Sequence, residues 1–231
     1  VAFLGQPIDV DGSILSILMS HEVGRNIAIV GSANAAIPLA NAIIGLSAQH
    51  SPGAAEVVVL DLLNANAQWE ATRGRFYSDL DASGMPYRIV EYQDIEATID
   101  ELVERANRSP SLSMSDRATY LLGLGLERLR SPGRLSELCR TGAANGIHIL
   151  GWWTKADVFD QHVGFGGSAY FDIKAAYGLD CQTTRRFLDE PLLEWRPKAN
   201  RMIIWDAASM PTPARLIPYT TYPGVKPPQD Y

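Results

Sequence analysis

A short loop of small residues is the part of this sequence whose residue types and spacing come nearest to a known chemistry. It lies between an apolar segment at 26–30 and a second apolar segment from Leu39, and it reads Gly31, Ser32, Ala33, Asn34, Ala35, Ala36, Ile37, Pro38. Strand, glycine-containing loop and helix in this order are the context of the Walker A pattern G-x-x-x-x-G-K-[ST], which binds the phosphates of a nucleotide. These eight residues are therefore the candidate nucleotide-binding residues.

The loop lacks three of the groups that Walker A chemistry needs. Ala36 stands at the second glycine, Ile37 at the lysine and Pro38 at the Ser/Thr that binds Mg²⁺. Isoleucine offers the phosphates no cation, and proline offers neither a hydroxyl nor a backbone N–H. Each charge-assisted contact that is lost costs about 1.5–3 kcal/mol of binding free energy. The sequence therefore predicts the fold of such a loop without its catalytic residues or metal ligands, and neither ATP nor Mg²⁺ is expected as a cofactor.

Two other segments have the shape of the strand that carries the metal-binding acid in such sites. Val57–Leu60 is followed by Asp61, which we interpret as the residue that ends a strand and caps the next element. In segment 120–129 the acidic pair would fall at Leu124 and Gly125. Glu127 comes two residues later, where strand alternation aims it elsewhere.

The remaining chemistry-bearing residues have structural interpretations that compete with functional ones. The glycine cluster at 164–167 is interpreted as a flexible connection, with an anion-binding nest as the alternative. His148 lies in an apolar segment and is interpreted as a satisfied core histidine, and no two histidines share a metal-ligand spacing. The arginines between Arg128 and Arg140 alternate with glutamates, which is typical of a solvated surface; a subunit interface or a DNA-facing stripe is the alternative.

Apolar runs and helical periodicities alternate along the chain. The predicted strands are 26–30, 56–61, 87–91, 118–124, 146–152 and 201–206, and the predicted helices are 38–49, 66–79, 94–107, 133–144 and 155–163. Buried strands alternating with helices favour an α/β fold, with a mainly parallel central sheet and helices on both faces. Residues 210–231 hold six of the fourteen prolines, which predicts an extended strap across the surface.

Size and composition limit the possible classes of protein. A chain of 231 residues with 46% hydrophobic residues can bury one large core, and its net charge of −6 gives no global attraction to nucleic acid. Two cysteines fit a reduced, cytoplasmic setting, and no apolar run approaches the roughly 20 residues of a membrane span, so direct membrane insertion is not expected. Because the chain begins at Val1 without a methionine, we expect a domain excised from a larger protein.

Five segments, in order, resemble FtsK/SpoIIIE-type motor domains. They are the lead-in 3–9, the strand and loop Gly24–Ser32, Val57–Asp61, Gly146–Leu150 and the late segment from Phe171 to Asp189. The family patterns that the last four resemble are GxNLLVVG, LLLIDPK, GIHLIL and a segment that ends in DSRTILD. The resemblance covers about residues 3 to 219. The family's polar sensor would fall near Thr154, which follows the bulky pair Trp152-Trp153.

The resemblance implies a three-layer RecA-like P-loop NTPase fold. It also implies one FtsK/SpoIIIE-like domain over residues 1–222 with a proline-rich tail at 223–231. Members of this family are hexameric ATPases that move double-stranded DNA or, in type VII secretion, protein substrates. The implied partners are other motor domains or subunits of the same assembly, together with DNA or a protein substrate. The parent protein can be membrane-tethered through segments outside this domain.

Three functions follow from these observations. The first is a catalytically degenerate domain with a structural, regulatory or substrate-binding role in a DNA- or protein-translocating assembly. The second is a nucleotide-binding DNA translocase with unconventional ATP-site residues, in which Arg25 and Asp61 would supply the missing cation and metal ligand. The third is a passive DNA-binding subunit that uses the arginines between Arg128 and Arg140.

Overall fold

The structure is a computed structural model, and it describes residues 1–8, 14–31, 34–63, 66–108, 117–220 and 222. Within these ranges nine strands form one sheet in the order β1-β9-β8-β7-β2-β6-β5-β3-β4. The strands are β1 Gly5–Pro7, β2 Ile27–Val30, β3 Ala55–Asp61, β4 Tyr87–Ile89, β5 Ala118–Leu124, β6 Ile147–Trp153, β7 Ile173–Tyr177, β8 Met202–Asp206 and β9 Ala214–Pro218. Strands β2 to β7 pair in parallel, whereas β8, β9 and β1 are added antiparallel beyond β7.

Helices cover both faces of the sheet. In the described part of the chain they are α1 Ala36–Ser47, α2 Ala67–Ser83, α3 Ile95–Asn107, α4 Leu135–Thr141, α5 Ala156–Val163 and α6 Cys181–Leu188. One hydrophobic core lies between the sheet and α1 with α2, and the other lies between the sheet and α3 to α6. All residues of β5 and β6 are buried, as expected for strands with a helical layer on each side. The predicted three-layer α/β fold is confirmed.

The C-terminal segment corrects one prediction. Residues 214–218 form β9, which pairs with both β8 and β1, and Leu216 is fully buried. The segment is thus a strand inside the sheet rather than a strap across the surface, because its residues alternate between buried and exposed as a strand requires. The predicted tail at 223–231 lies outside the described residues.

The sheet order fixes where the candidate loop lies. Strand β2 is central, with β6 on one side and β7 on the other. The loop after Val30 therefore leaves the sheet at the carboxyl edge of the parallel strands, where the segments after β3, β5 and β6 also leave. Ligands of open α/β sheets bind at this edge.

Candidate functional site

Gly31 holds the first position of the loop by contacts within the protein. Its N–H donates to the carbonyl oxygen of Trp153 (2.9 Å), and its own carbonyl accepts from Nε1 of Trp152 (3.1 Å). Gly31 has φ = +153°, and a Cβ at this position would lie 1.8 Å from the carbonyl oxygen of Tyr177. Glycine is required here by the close approach of β7, and its amide is already paired.

Asn34 occupies the amino end of α1. Its Oδ1 accepts from the backbone N–H of Ala36 (2.9 Å), and its Nδ2 donates to Asn66 Oδ1 (3.2 Å) and Gln68 Oε1 (3.0 Å). Asn66 also caps α2, because its Oδ1 accepts from the N–H of Trp69. The first amide of α1, which in a phosphate-binding loop faces the anion, is thus bound by a side chain of the protein itself.

The residues at the lysine and hydroxyl positions belong to the hydrophobic core. Ile37 exposes 1% of its surface, Ala35 and Ala36 expose none, and Pro38 is buried. Helix α1 begins at Ala36, two residues earlier than predicted, and it places Ile37 in the core that α1 shares with α2. The other two candidate residues, Ser32 and Ala33, lie outside the described residues.

Asp61 ends β3, as predicted, but it does not cap the next helix. Its Oδ2 accepts from Nε1 of Trp69 (2.7 Å), and its Oδ1 accepts from the N–H of Leu63 (3.2 Å). Arg73 Nη1 lies 3.9 Å from Oδ2. The capping role belongs to Asn66, whose side chain accepts from the backbone N–H of Trp69, whereas Asp61 accepts from the indole of that tryptophan. Both oxygens of Asp61 are therefore already hydrogen-bonded.

The second acidic position is apolar in the structure as well as in the sequence. Leu124 is the last residue of β5 and is fully buried, and Gly125 has φ = +73°. A Cβ on Gly125 would lie 2.8 Å from the side chain of Leu63. Glu127 lies in the following 3₁₀ turn and is half-buried, and its Oε2 is buried with no hydrogen-bond partner among the described residues.

Two tryptophans at the end of β6 bind Gly31 of the candidate loop, and neither was a predicted site residue. Trp152 packs into the core of α1 and α2 and donates to Gly31, while Trp153 packs into the opposite core and donates to His162 Nδ1 (3.2 Å). Strand alternation sends the two rings to opposite faces of the sheet. They lie opposite Ile29 and Val30 because β6 pairs with β2 directly before the loop, and this register is not visible in the sequence.

Arg25 lies at the amino end of β2, whereas the candidate loop follows the carboxyl end. This position corrects its suggested role as a replacement cation. Its guanidinium donates to both carboxylate oxygens of Asp206 (2.7 and 3.0 Å) and to the carbonyl of Leu18, and it is 3% exposed. It precedes β2, whereas the loop follows it, so about 20 Å of extended chain separates Arg25 from Gly31. Arg25 and Asp206 form a buried structural ion pair. Burial by itself would raise the pKa of Asp206, but the hydrogen bonds to its carboxylate outweigh burial and leave this pKa lowered.

His148 is a core residue, as predicted, although only one of its ring nitrogens is satisfied. Nδ1 donates to the carbonyl of Arg25 (2.9 Å), and Nε2 has no partner among the described residues. Burial lowers the pKa of His148 to about 4, so the ring is neutral at pH 7. In the described ranges no group of three or more His, Cys, Asp or Glu side chains is placed to hold a metal.

The arginines between Arg128 and Arg140 do not form one helical face. Helix α4 begins at Leu135, so Arg130 precedes it. Arg134 pairs with Glu104 (2.7 Å) and Glu137 (2.8 Å), and the hydrogen bonds that Arg134 and Asn107 donate to Glu137 lower the pKa of Glu137 to about 2. The interleaving of charges that the sequence indicated is present as ion pairs.

The residues around the loop do not fit a magnesium nucleotide. The positions of the lysine and the hydroxyl are apolar and buried, the amides of Gly31 and Ala36 are paired internally, and both oxygens of Asp61 accept hydrogen bonds. A triphosphate would find neither a cation nor a metal ligand among them.

In the described part of the chain no helix has the length and apolar character to cross a bilayer.

Solved structures of other proteins share this fold. Neither a family model nor a curated protein matches the chain in sequence. Three similar structures are EssC (ATPases 2 and 3) from Geobacillus thermodenitrificans, the pCW3 conjugation coupling protein TcpA in a monomer form with ATPγS, and the cytoplasmic domain of the type VII secretion ATPase EccC from Thermomonospora curvata.

The similarity lies in structure far more than in sequence. EssC is 13% identical with a TM-score of 0.65, over 94% of this chain and 43% of EssC. TcpA is 12% identical with a TM-score of 0.67, over 95% of this chain and 65% of TcpA. EccC is 13% identical with a TM-score of 0.54, over 93% of this chain and 28% of EccC. The chain thus spans less than two thirds of each of these proteins, and its fold is that of the FtsK/SpoIIIE-like motor domains.

Proposed function

We propose that this chain is a RecA-like domain that binds no nucleotide at its Walker A position. Its role is structural, regulatory or substrate-binding within a larger assembly that translocates protein or DNA. In that assembly it packs against motor domains of the same chain or of another chain. The fold supports this placement, since the similar structures include secretion ATPases and a conjugation coupling protein.

The observation that carries the proposal is the closed state of the candidate loop. Ile37 takes the place of the lysine with 1% of its surface exposed, and Asn34 binds the first amide of α1. Trp152 closes the other side of the loop through its bond to Gly31. A nucleotide would have to displace core side chains and break these bonds, and it would gain no cation in return.

The comparison with EssC supports a role beside other motor domains. That structure is described as ATPases 2 and 3, and the present chain matches 43% of it, which corresponds to about one of its units. A domain of this size in a chain with several motor units can act through its interfaces without turnover of its own. We infer that other motor domains are its partners and that the translocated substrate is a protein or DNA.

No specific observation favours the DNA translocase with unconventional ligands or the passive DNA-binding subunit. The translocase required Arg25 near the loop, whereas Arg25 is bound to Asp206 at the other edge of the sheet. The DNA-binding subunit required free cations between Arg128 and Arg140, whereas Arg134 pairs with two glutamates.

Two measurements with Mg-ATP and Mg-ATPγS test the proposal. Calorimetric titration to millimolar nucleotide is combined with hydrogen exchange of the amides at 31–40, and TcpA, whose structure was solved with ATPγS, serves as the positive control. We expect no change in exchange at 31–40 in this chain. Micromolar binding with new protection of these amides would overturn the proposal, whereas heat without that protection would locate binding elsewhere in the molecule.

A further inference from the structure

A cavity of about 690 Å³ lies beside α6, β8 and β9, and it shares no lining residue with the candidate loop. Its wall contains five cationic side chains and one acidic one; the lining residues are Ile8, Cys181, Arg185, Glu194, Trp195, Arg196, Lys198, Arg201 and Arg215. The chain as a whole carries a net charge of −6, with 20 lysines and arginines against 26 acidic residues. A quarter of its basic residues thus converge on one cavity of an acidic protein. We call these nine residues the basic cavity.

The cations of the basic cavity form no ion pairs within the described part of the chain. Eight other arginines there do form them, namely Arg25, Arg73, Arg75, Arg88, Arg105, Arg117, Arg134 and Arg186, whereas Arg108, Arg128, Arg130, Arg140, Lys155 and Lys174 do not. The contrast is sharpest between neighbours in sequence, because Arg186 pairs with Asp157 while Arg185 faces the cavity. Five clustered cations with one carboxylate among them still repel each other, so an external anion would relieve that repulsion.

Hydrogen bonds to backbone carbonyls fix the cavity wall. Arg185 donates from Nε to Leu193 (2.7 Å), and Arg215 donates from Nη2 to the carbonyl of Glu194 (3.2 Å). Trp195, 5% exposed, donates to Leu179 (3.2 Å) and anchors the connection between α6 and β8 in the core. Each guanidinium uses one nitrogen for this bond, and its other N–H groups stay available in the fork geometry that binds phosphate.

We propose that the basic cavity binds a small ligand that carries two or three adjacent phosphate groups. The wall has an excess of four positive charges. A phosphate group carries about −1.5 to −2 charges and three acceptor oxygens, so two of them nearly balance that excess and three exceed it. The cavity volume lies in the range of about 300–1,000 Å³ that small-molecule sites occupy. This inference stands independently of the nucleotide question at the candidate loop.

The shape of the charged surface favours a small ligand over duplex DNA or an acidic peptide. Duplex DNA is bound by cations spread along a face or a helix, whereas these five surround one concavity. A carboxylate brings about one charge, and a peptide segment spaces its carboxylates along an extended chain. A short phosphate chain concentrates its charge in the volume that the cavity encloses.

The test is a calorimetric titration of the full chain with inorganic tripolyphosphate, with three double variants. The cavity variant is Arg185→Gln with Arg201→Gln, which are the half-buried cations. The matched control is Arg130→Gln with Arg140→Gln, which removes the same charge from exposed arginines outside the cavity. We expect the cavity variant to weaken binding at least about tenfold, since it loses charge-assisted hydrogen bonds, and the control to change it less than about twofold.

A second cavity variant keeps the test valid if the first one folds poorly. Arg196→Gln with Lys198→Gln changes two exposed side chains that have no hydrogen-bond partner among the described residues, and we again expect a loss of about tenfold. Equal weakening in the cavity and control variants, no binding by the wild type, or stronger binding of poly-glutamate or a DNA duplex would overturn the inference. Protection of amides at 31–40 would instead contradict the proposed function alone.

Discussion

The candidate loop and the basic cavity border the same strand end, yet they treat polar groups in opposite ways. Gly31 lies against the carbonyl of Tyr177 at the end of β7, and Met202, next to Arg201, pairs with Tyr177 from the other side. At the loop, the Gly31 amide and carbonyl, the Ala36 amide and the Asn34 side chain are bound internally, and the apolar side chains are buried. At the cavity, five cations face a single carboxylate and form no ion pair within the described residues.

The two regions lie at the same edge of the sheet, but the loop contributes to stability whereas the cavity offers groups for ligand binding. Side chains at the loop contribute to the core, so changing them should destabilise the fold without changing any ligand affinity. The exposed cavity side chains Arg196 and Lys198 contribute little to folding, so changing them should alter anion binding and leave stability nearly constant. A ligand site generally needs polar groups that the fold itself does not satisfy, and only the cavity meets that condition.

The largest effect is expected from Ile37→Lys, which restores the Walker A cation. Because position 37 is 1% exposed inside the core of α1 and α2, the change buries an ammonium group and removes a packed side chain. We expect a loss of about 4 kcal/mol or more of the free energy of unfolding, measured by urea denaturation. Nucleotide affinity should not appear, because the metal ligand and the open amides are still missing.

Ile14→Lys is the matched control for this change. Ile14 is 76% exposed, so the same substitution there should alter the free energy of unfolding by less than about 0.5 kcal/mol. If Ile37→Lys cost no more than Ile14→Lys, position 37 would be accessible and the loop would not be closed.

The second effect is a pH dependence that comes from His148, on the strand that carries Trp152. Its pKa is lowered by burial from 6.5 to about 4, so between these values the unfolded chain binds a proton that the folded chain does not. Stability from this residue is therefore complete above pH 6.5 and is lost as the pH falls toward 4. The shift corresponds to about 3 kcal/mol. Denaturation curves at several pH values measure it.

His148→Gln isolates this contribution. Carboxylates such as Asp206, whose pKa is lowered in the folded state, also destabilise the protein as the pH falls, but they do so equally in both proteins. The difference between wild type and variant should thus change by about 3 kcal/mol between pH 6.5 and pH 4. Parallel curves would mean that Nε2 of His148 finds a partner or reaches water.

A smaller effect is expected from Asn34→Ala at the start of α1. The change removes the acceptor for the N–H of Ala36 and the two donor contacts to Asn66 and Gln68. Loss of such a hydrogen bond typically costs about 1 kcal/mol. Asn34→Asp keeps the acceptor and removes the donors, so its free energy of unfolding should lie between those of wild type and Asn34→Ala. Equal stability of all three proteins would show that Asn34 does not close the loop.

The sequence predicted the layers of this fold well because its central strands are long, apolar and buried on both sides. The predicted strand at 118–124 coincides with β5, and the other predicted strands and helices agree with the structure apart from their ends. Strand β7, helix α6 and strand β9 were absent from the predicted elements, and β9 was missed because prolines flank it and its alternation covers only five residues. Pairing with β8 and β1 decides its structure, and pairing of distant segments is not visible in a local pattern.

The two regions differ in how far the sequence could predict them. The replacements at Ile37 and Pro38 were visible, because a motif of fixed spacing defines what should stand there. The closure by Trp152 and Asn34 was not, since it depends on the register of β6 with β2 and on the approach of α2. The basic cavity combines residues from 8 to 215, so no window of sequence contains it.

The smallest effect on stability is expected at the basic cavity, from Arg196→Gln with Lys198→Gln. Both side chains are exposed and lack partners among the described residues, so the free energy of unfolding should change by no more than about 0.5 kcal/mol, toward greater stability, since repulsion falls. Added salt should stabilise the wild type more than the variant, because salt screens that repulsion. Arg134→Gln, which breaks two surface ion pairs, should instead lower the stability slightly and show the opposite salt response. A loss above 1 kcal/mol at the cavity would make these cations structural and would remove the distinction between the two regions.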